Sequence, residues 1–208
     1  MINRRQMLAV SAGGLAIFGI AGIGAGTESF AQRVPSVAEV LYDKEIPVLG
    51  NPNGDVTIVE YFDYQCPYCK KGHAELMRVV KNDGNVRLVM KDWIIFGDVS
   101  AYAARLVLAA EKSGNYLKAM EALMATPGRL TKEQVDAALK KGGLDAAKLE
   151  AAYKADSKRI NGILERNMDQ GDAFNFGGTP SFVIGTKLYG GVMKEKALIE
   201  AIKEARKP

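Results

Sequence analysis

The sequence predicts an α/β fold in which one sheet is interrupted along the chain by an all-helical insertion. Residues 56–62 form a β-branched and aromatic run, residues 67–80 carry apolar and small side chains at helical spacing, and residues 86–90 read as a second strand. From about residue 98 to residue 171 the spacing is helical without a strand-like run, and strand character returns at residue 181. Strands from both halves of the chain are therefore expected to share one sheet.

The first 31 residues are predicted to be an export signal. Arg4 and Arg5 precede an uncharged stretch from 6 to 27, and Ser29-Phe30-Ala31 has the small-x-small form of a cleavage site. An uncleaved anchor is the alternative, because the stretch is long enough to span a bilayer. The arginine pair resembles the twin-arginine export motif, and Sec export stays open.

The remaining chain has the length and the mixed charge of one globular domain. Loss of residues 1–31 would remove two arginines and one glutamate, so that the net charge falls from +4 to +3 over 177 residues. Lysines alternate with acids, and no cluster has the form of a nucleic-acid-binding patch. A chain of this length builds one good core. Because the charges are mixed, we expect no nucleic-acid partner.

Residues 32–50 are predicted to be an N-terminal helix and linker. Val34, Val37 and Leu41 lie at helical spacing, and the apolar face that they form needs a cover, either its own domain or a second subunit. A turn-rich link at 49–54 leads into the first strand. The sheet domain is assigned to 51–97 and 172–208, and the helical insertion to 98–171.

Elements in the second half of the chain follow from caps and turns. Thr131 and Gln134 have the form of a capping box for a helix through Leu139. Residues 181–184 and 187–189, joined by Gly185-Thr186, predict a hairpin. A closing helix from 195 to 205 is expected to bury Leu198, Ile199 and Ile202.

The chemistry is predicted to lie at Cys66-Pro67-Tyr68-Cys69, which contains the only two cysteines of the chain. Proline is favoured at the first helical position, so Cys66 falls at or just before a helix N-terminus. Unpaired N–H groups and the helix dipole stabilise an anion there, and the Cys66 thiolate should form more easily than that of a free cysteine. Cys69 lies one turn away and can resolve a mixed disulfide on Cys66.

Two structural explanations of the cysteine pair stay open. A permanent disulfide at this spacing closes a very small loop and adds little stability in the chain-entropy model. A zinc site wants four ligands, and the only further soft ligand is His73, which we expect to point at solvent. No metal and no cofactor are therefore predicted.

Two segments, Val59 to Lys70 and Gly178 to Phe182, resemble those of the DsbA family of exported thiol-disulfide oxidoreductases. The resemblance covers about residues 40 to 205, and is greatest to the suppressor-of-copper-sensitivity branch. It implies a thioredoxin fold with a helical insertion. The 114 positions between Cys66 and Pro180 leave room for that insertion, which small thioredoxins and glutaredoxins lack.

The resemblance also implies the remaining site residues. Pro180 would be cis and would face the two cysteines, and Thr179 would offer backbone hydrogen bonds to an extended client segment. Glu60 matches an acid that lies buried beneath the disulfide and assists proton transfer. The alternatives are an ordinary loop proline at 180 and a structural pairing of Glu60 with Lys91.

The predicted function is disulfide exchange with exported proteins, most simply as a disulfide-donating oxidase. Pro67, Tyr68, Thr179 and Pro180 are the predicted substrate-binding residues, and Cys66, Cys69 and Glu60 the catalytic ones. The partners would be unfolded or thiol-containing exported proteins and a membrane redox protein, an oxidase or a reductase. The alternatives are an isomerase or reductase if the chain is a dimer rather than a monomer, and a Cu(I)-binding thiol protein.

Overall fold

A five-stranded sheet forms the centre of the computed structural model, which describes residues 34–207. Its strand order is β1-β3-β2-β4-β5, with β2 and β3 parallel and the other neighbours antiparallel. The two central strands are buried at every position. This suits the β-branched and aromatic sequence of β2, whereas β3 also buries three charged residues, Arg87, Lys91 and Asp92. The strands are β1 (Val48–Gly50), β2 (Val56–Phe62), β3 (Val86–Asp92), β4 (Ser181–Ile184) and β5 (Lys187–Gly190).

Helices cover both faces of this sheet. Alternation along the strands directs Glu60 of β2 to one face and its neighbour Tyr61 to the other. Helices α2 and α8 lie on the Glu60 face, whereas α1 and α7 lie on the Tyr61 face. The helices are α1 (Val37–Leu41), α2 (Pro67–Asp83), α3 (Asp98–Ala109), α4 (Tyr116–Met124), α5 (Lys132–Lys141), α6 (Ala146–Ala155), α7 (Ser157–Ala173) and α8 (Glu195–Ala205), with a short 3-10 turn at Glu111–Ser113.

The helical insertion is confirmed. Helices α3 to α7 follow one another between β3 and β4. The capping box at Thr131 is present, since its side chain accepts from the N–H of Gln134 and the Gln134 side chain accepts in return. The predicted fold class, a thioredoxin fold with helices inserted into it, is therefore correct.

Strand β1 was not expected, because residues 49–54 read as a turn-rich link. It is a three-residue edge strand with one buried side chain, Leu49, and it pairs antiparallel with β3. A strand this short offers no alternation to detect, and its pairing depends on β3, which lies far along the chain.

The apolar face assigned to the N-terminal helix is correct at Leu41 and wrong at Val34 and Val37. Val34 and Val37 are 78% and 56% exposed, and the side chains that pack inward are Val40 and Leu41. The reason is the helix start: Ser36 caps the helix, so the helix begins at Val37, three residues after the first valine of the predicted spacing. Whether this segment meets a second subunit stays a prediction.

The closing helix α8 lies where expected, with one change in its buried face. Leu198 and Ile202 are buried, but Ile199 is 37% exposed and Ala201 takes the inward position. A small side chain at 201 suits a helix that packs closely on its neighbours.

The only tryptophan of the chain marks the place where the insertion meets the sheet. Trp93 directly follows β3 and is 4% exposed. A Cβ atom at Gly171 of α7 would lie 2.6 Å from its indole ring, so only glycine allows the helix to approach this closely. Phe176 packs nearby, with ring centroids 6.2 Å apart.

The predicted signal segment, residues 1–31, lies outside the described part of the chain. Within residues 34–207, none of the helices is long and apolar enough to cross a membrane.

Candidate functional site

The two cysteines lie at the start of α2, with both thiols free and both side chains buried. Cys66 is the N-cap residue and Pro67 occupies the first turn. The backbone N–H of Cys69 donates to the Cys66 sulfur at 3.3 Å. The sulfur thus stands where a helix offers its unpaired N–H groups to an anion.

The two thiols differ strongly in acidity. The pKa of the Cys66 thiol is lowered to about 6. The largest cause is a hydrogen bond from the Cys69 thiol, and backbone N–H groups of the first helical turn contribute, although burial opposes this shift. Burial is the largest cause at Cys69 and raises the pKa of that thiol. One sulfur is therefore built to carry the charge and the other to keep its proton.

The loop before β4 faces this sulfur. The Cys66 thiol donates to the carbonyl oxygen of Thr179 at 3.3 Å. The Thr179-Pro180 peptide bond is cis, with Pro180 buried and Thr179 partly buried. These two residues come together with the cysteines across 113 positions of sequence, so an ordinary loop proline does not describe Pro180.

Pro67 and Tyr68 lie on the surface beside the buried sulfurs. Both are exposed, and the Tyr68 side chain is 63% accessible. A large exposed aromatic ring next to a reactive group is a feature of contact surfaces rather than of the core.

Glu60 lies buried on the α2 face of the sheet and is 2% exposed. In the part of the chain that the structure describes, its Oε2 atom has no hydrogen-bond partner. Burial, with a smaller contribution from charge on Cys66, raises the pKa of this carboxyl to about 8. The group can therefore hold or release a proton near neutral pH.

The alternative pairing of Glu60 with Lys91 is wrong. Lys91 stands opposite Tyr61 in the register, so the two side chains point to opposite faces of the sheet. The Lys91 ammonium lies 3.6 Å from an Asp43 carboxylate oxygen and donates to the backbone oxygen of Glu39 at 3.1 Å. Lys91 was a misleading candidate partner because it lies opposite Tyr61, and not opposite Glu60. Adjacent side chains of a strand point to different faces of the sheet.

His73 is not directed at solvent as expected. It is 4% exposed and its Nε2 atom lies 3.0 Å from a Glu121 carboxylate oxygen. Helix α4 covers this side of α2, a contact across 48 positions that the local sequence does not reveal. Among residues 34–207 no group of three or more His, Cys, Asp or Glu side chains is arranged to hold a metal ion.

Asp63, directly after β2, has a structural role that the sequence pattern did not reveal. Its buried carboxylate accepts hydrogen bonds from three backbone N–H groups, of Gln65, Ile95 and Phe96, at 2.7 to 3.2 Å. It also accepts from the Ser100 hydroxyl at 2.6 Å. The residue thereby fixes the loop that leads into Cys66, and only its place directly after β2 could have indicated this.

Two further residues beside the cysteines were missed, Gln65 and Lys70. The Gln65 amide donates to the Leu130 carbonyl at 3.0 Å and accepts from the Leu130 N–H at 2.7 Å. The Lys70 ammonium donates to the Thr126 hydroxyl at 2.9 Å and to the Gly128 carbonyl at 2.5 Å. These contacts span 56 to 65 positions, so nothing in the neighbouring sequence announces them.

Comparisons with known proteins agree with this geometry. The profile of the family described as Thioredoxin matches residues 43–204. A thioredoxin-like oxidoreductase from Silicibacter pomeroyi DSS-3 is 38% identical with a TM-score of 0.79, over 84% of this chain and 99% of that one. The thiol-disulfide exchange protein alpha-DsbA2 from Wolbachia pipientis is 25% identical with a TM-score of 0.74, over 80% of this chain and 90% of the other.

Curated relatives of greater length also match. The Na⁺/H⁺ antiporter NhaA 1 of Salinispora arenicola is 26% identical over 185 residues, which make up 84% of this chain and 28% of the antiporter. The chain thus spans little more than a quarter of that relative. The fold is similar to those of the Silicibacter and Wolbachia proteins named above. From the family profile over residues 43–204, together with the paired thiols at the start of α2, we conclude that the chain belongs to the thioredoxin family.

Proposed function

We propose that this protein is an exported oxidase that donates the Cys66–Cys69 disulfide to client proteins. The observation that carries the proposal is the acidic Cys66 thiol at the N-cap of α2, with its pKa lowered to about 6. Stabilising the thiolate stabilises the reduced enzyme, and an enzyme whose reduced form is favoured gives its disulfide away.

Exchange proceeds in two displacements at sulfur. A client thiolate attacks the Cys66 sulfur of the disulfide, which forms a mixed disulfide and expels Cys69 as a thiolate. A second client thiolate then attacks the client sulfur of the mixed disulfide and expels Cys66. Two electrons pass from the client to the enzyme, the client gains a disulfide, and the low pKa of Cys66 makes it a good leaving group.

Glu60 is proposed to supply the proton that Cys69 needs. Burial raises the pKa of the Cys69 thiol, so its thiolate takes up a proton as soon as it is expelled. The Glu60 carboxyl, with a pKa of about 8, is protonated at neutral pH and has an oxygen without a partner among the described residues. It serves as acid in this direction and as base when the disulfide is restored.

The client is proposed to bind as an extended segment across the sulfur. The Thr179 carbonyl accepts from the Cys66 thiol, and Pro67 and Tyr68, which follow Cys66 in the chain, are exposed. A client strand would pair with the backbone of Thr179, while its side chains contact the Tyr68 ring. Recognition of backbone rather than of particular side chains suits an enzyme with many unfolded clients.

Export and membrane partnership complete the proposal. Residues 1–31 are proposed to direct export, and a membrane redox protein to restore the disulfide after each turnover. The boundaries at 50, 97 and 171 are proposed to separate the linker, the two parts of the sheet domain and the helical insertion. The proposal takes no transport activity from the antiporters, because the similarity covers 28% of their length.

The reduction potential of the Cys66–Cys69 couple tests the direction of electron flow. Equilibration with glutathione should give a value between about −120 and −180 mV, the range of proteins that donate disulfides. A value near −270 mV, typical of thioredoxin, would overturn the oxidase assignment in favour of a reductase.

Two cysteine variants test the order of events. With Cys66→Ser, oxidation of a reduced dithiol peptide should fall by more than about 1000-fold, because the attacked sulfur is gone. With Cys69→Ser, the reduced protein mixed with the disulfide-linked dimer of a one-cysteine peptide should accumulate a mixed disulfide through Cys66 and release one peptide thiol, because no second enzyme thiol is present to displace the bound peptide; mass spectrometry detects the adduct. A mixed disulfide formed through Cys69 in the Cys66→Ser variant would contradict the assigned order.

A further inference from the structure

The loop from Thr126 to Leu130, between α4 and α5, is bound to both ends of the cysteine motif. Gln65 precedes the motif and forms two hydrogen bonds with the backbone of Leu130. Lys70 follows the motif and binds Thr126 and Gly128. Four hydrogen bonds thus hold one loop of the insertion against the residues on either side of the reactive sulfurs.

This loop borders an open pocket next to the motif. The pocket has a volume of about 470 Å³, and Pro67 and the loop residues Thr126 to Gly128 contribute to its walls. Because Pro67 adjoins Cys66, a client segment that leaves the sulfur on this side passes along the loop.

Cations predominate on this side of the sulfur. Arg129, at the exposed end of the loop, stacks over the Phe96 ring at 4.7 Å from its centroid. Phe96 is itself bound through its N–H to Asp63, which lies three residues before Cys66, so Arg129 contacts a residue that is tied to the segment leading into the motif. Lys71 is exposed and lines the pocket, and within residues 34–207 neither Arg129 nor Lys71 forms an ion pair.

One acidic side chain faces the same pocket. Glu121 lies among its lining residues, but its carboxylate is bound to the His73 ring at 3.0 Å. Lys70 and Lys71 line the pocket together with it. The two lysines therefore make the electrostatic potential in the pocket positive. The N-terminus of α2 adds to this potential because its N–H groups carry partial positive charge.

We propose that the Thr126–Leu130 loop is a specificity wall of the client site, and that its Arg129, together with Lys71 of α2, selects clients with an acidic side chain next to the reactive cysteine. Arg129 and Lys71 would contact that carboxylate, and Gln65 is the positioning residue that fixes the loop. The proposal rests on the oxidase function and defines which clients react fastest.

The test uses the oxidised protein and two dithiol peptides that differ at one position, with Glu or Lys beside the first cysteine. Single-turnover oxidation is followed by chromatography at low ionic strength. The Glu peptide should react about fivefold faster, the size expected for one or two solvent-exposed charge contacts. In about 1 M salt, where the screening length is about 3 Å, the ratio should approach one.

Variants separate charge from structure. Arg129→Ala should lower the ratio to about twofold, and Arg129→Glu should reverse it in favour of the Lys peptide. Gln65→Ala should also lower the ratio although Arg129 is retained, because the loop loses its attachment. Lys140→Ala, which removes an exposed cation near the far end of α5, should leave the ratio unchanged.

The outcomes distinguish a failure of the proposed client selection from a failure of the proposed oxidase function. Oxidation of neither peptide would overturn the oxidase function itself. Oxidation of both at equal rates, or an unchanged ratio in Arg129→Glu, would overturn the specificity wall and leave the oxidase function standing. A general loss of structure in Gln65→Ala would slow both peptides equally, and the ratio would then register the loop alone.

Discussion

Glu60 and Lys91 are two buried ionisable residues on neighbouring strands that the fold treats in opposite ways. Each is at most 2% exposed, and they stand one position apart in the register of β2 and β3. Glu60 faces α2 and the cysteines, and among the described residues one of its oxygens has no partner. Lys91 faces α1 and α7, and an acid, a backbone carbonyl and the Asn167 side chain surround it.

The contrast shows how to separate a structural charge from a chemical one. Asp43, the ion-pair partner of Lys91, also forms an ion pair with Arg166 at 2.9 Å. The charges of Lys91 and Asp43 are therefore both partnered. Burial lowers the pKa of the Lys91 ammonium to about 8, although the charge of Asp43 opposes this shift, and burial raises the pKa of the Glu60 carboxyl to about 8. The two residues therefore differ in their partners: Lys91 has an ion pair, whereas charge on Cys66 adds to the effect of burial at Glu60. The face of the sheet on which Glu60 lies is also the face on which α2 places the two cysteines.

The largest expected effect is on stability, when Lys91 is replaced by methionine. The substitution keeps most of the volume but leaves Asp43 with Arg166 alone, so the free energy of unfolding should fall by about 3 kcal/mol. Denaturant titration measures it, with the exposed Lys81→Met as control. Exchange activity per folded molecule should persist, and its loss would place Lys91 in the chemistry and end the contrast.

The second effect is on rate, when Glu60 is replaced by glutamine. The amide keeps the shape but cannot donate a proton to the expelled Cys69, and peptide oxidation at pH 7 should slow about 100-fold. Rapid mixing measures this. At pH 5, where the folded Glu60 carboxyl is protonated, the free energy of unfolding should stay within about 1 kcal/mol of that of the wild type. A variant as fast as the wild type would remove the carboxyl from the proposed proton transfer.

The third effect is a pH dependence of stability that Glu60 alone contributes. The folded carboxyl keeps its proton up to about pH 8, whereas the unfolded one loses it near its ordinary pKa of 4.5. Unfolding therefore releases a proton between these values, and the stability of the wild type should fall by about 1 kcal/mol per pH unit relative to Glu60→Gln.

This pH series is best measured on the disulfide form, in which neither cysteine titrates. Parallel stability curves for the two proteins from pH 5 to pH 8 would show that the Glu60 carboxyl is already ionised in the folded state.

The smallest effect concerns Tyr61, which follows Glu60 in sequence but faces the other side of the sheet. Its hydroxyl donates to the Gln170 side chain at 2.8 Å in a buried site. Tyr61→Phe should cost about 1 kcal/mol of stability and leave the exchange rate unaltered. A rate as slow as that of Glu60→Gln would mean that the two faces are not independent.

The sequence predicted those parts of the fold that have a local cause. The β-branched run of β2, the proline at the start of α2 and the capping box at Thr131 each define an element within a few residues, and all three are present. Strand β1 and the inward face of α1 escaped prediction because partners distant in sequence determine them. Leu49, for example, belongs to a strand because it pairs with Leu88 of β3.

The same division holds at the candidate site. The N-cap position of Cys66 follows from Pro67, and the place of Thr179 and Pro180 followed from the resemblance to the DsbA family. The contacts of His73, Gln65 and Lys70 cross 48 to 65 positions into the insertion, and their own sequence carries no sign of them.

The close approach of Gly171 to Trp93 makes the fluorescence of this tryptophan a probe of the contact between the helical insertion and the sheet. The indole is the only one in the chain, and it is clamped between a helix of the insertion and the end of a central strand. Its fluorescence therefore monitors whether these two parts remain docked. A bulkier residue at 171 should shift that emission to longer wavelength before the backbone spectrum changes, since the ring would be pushed toward water first.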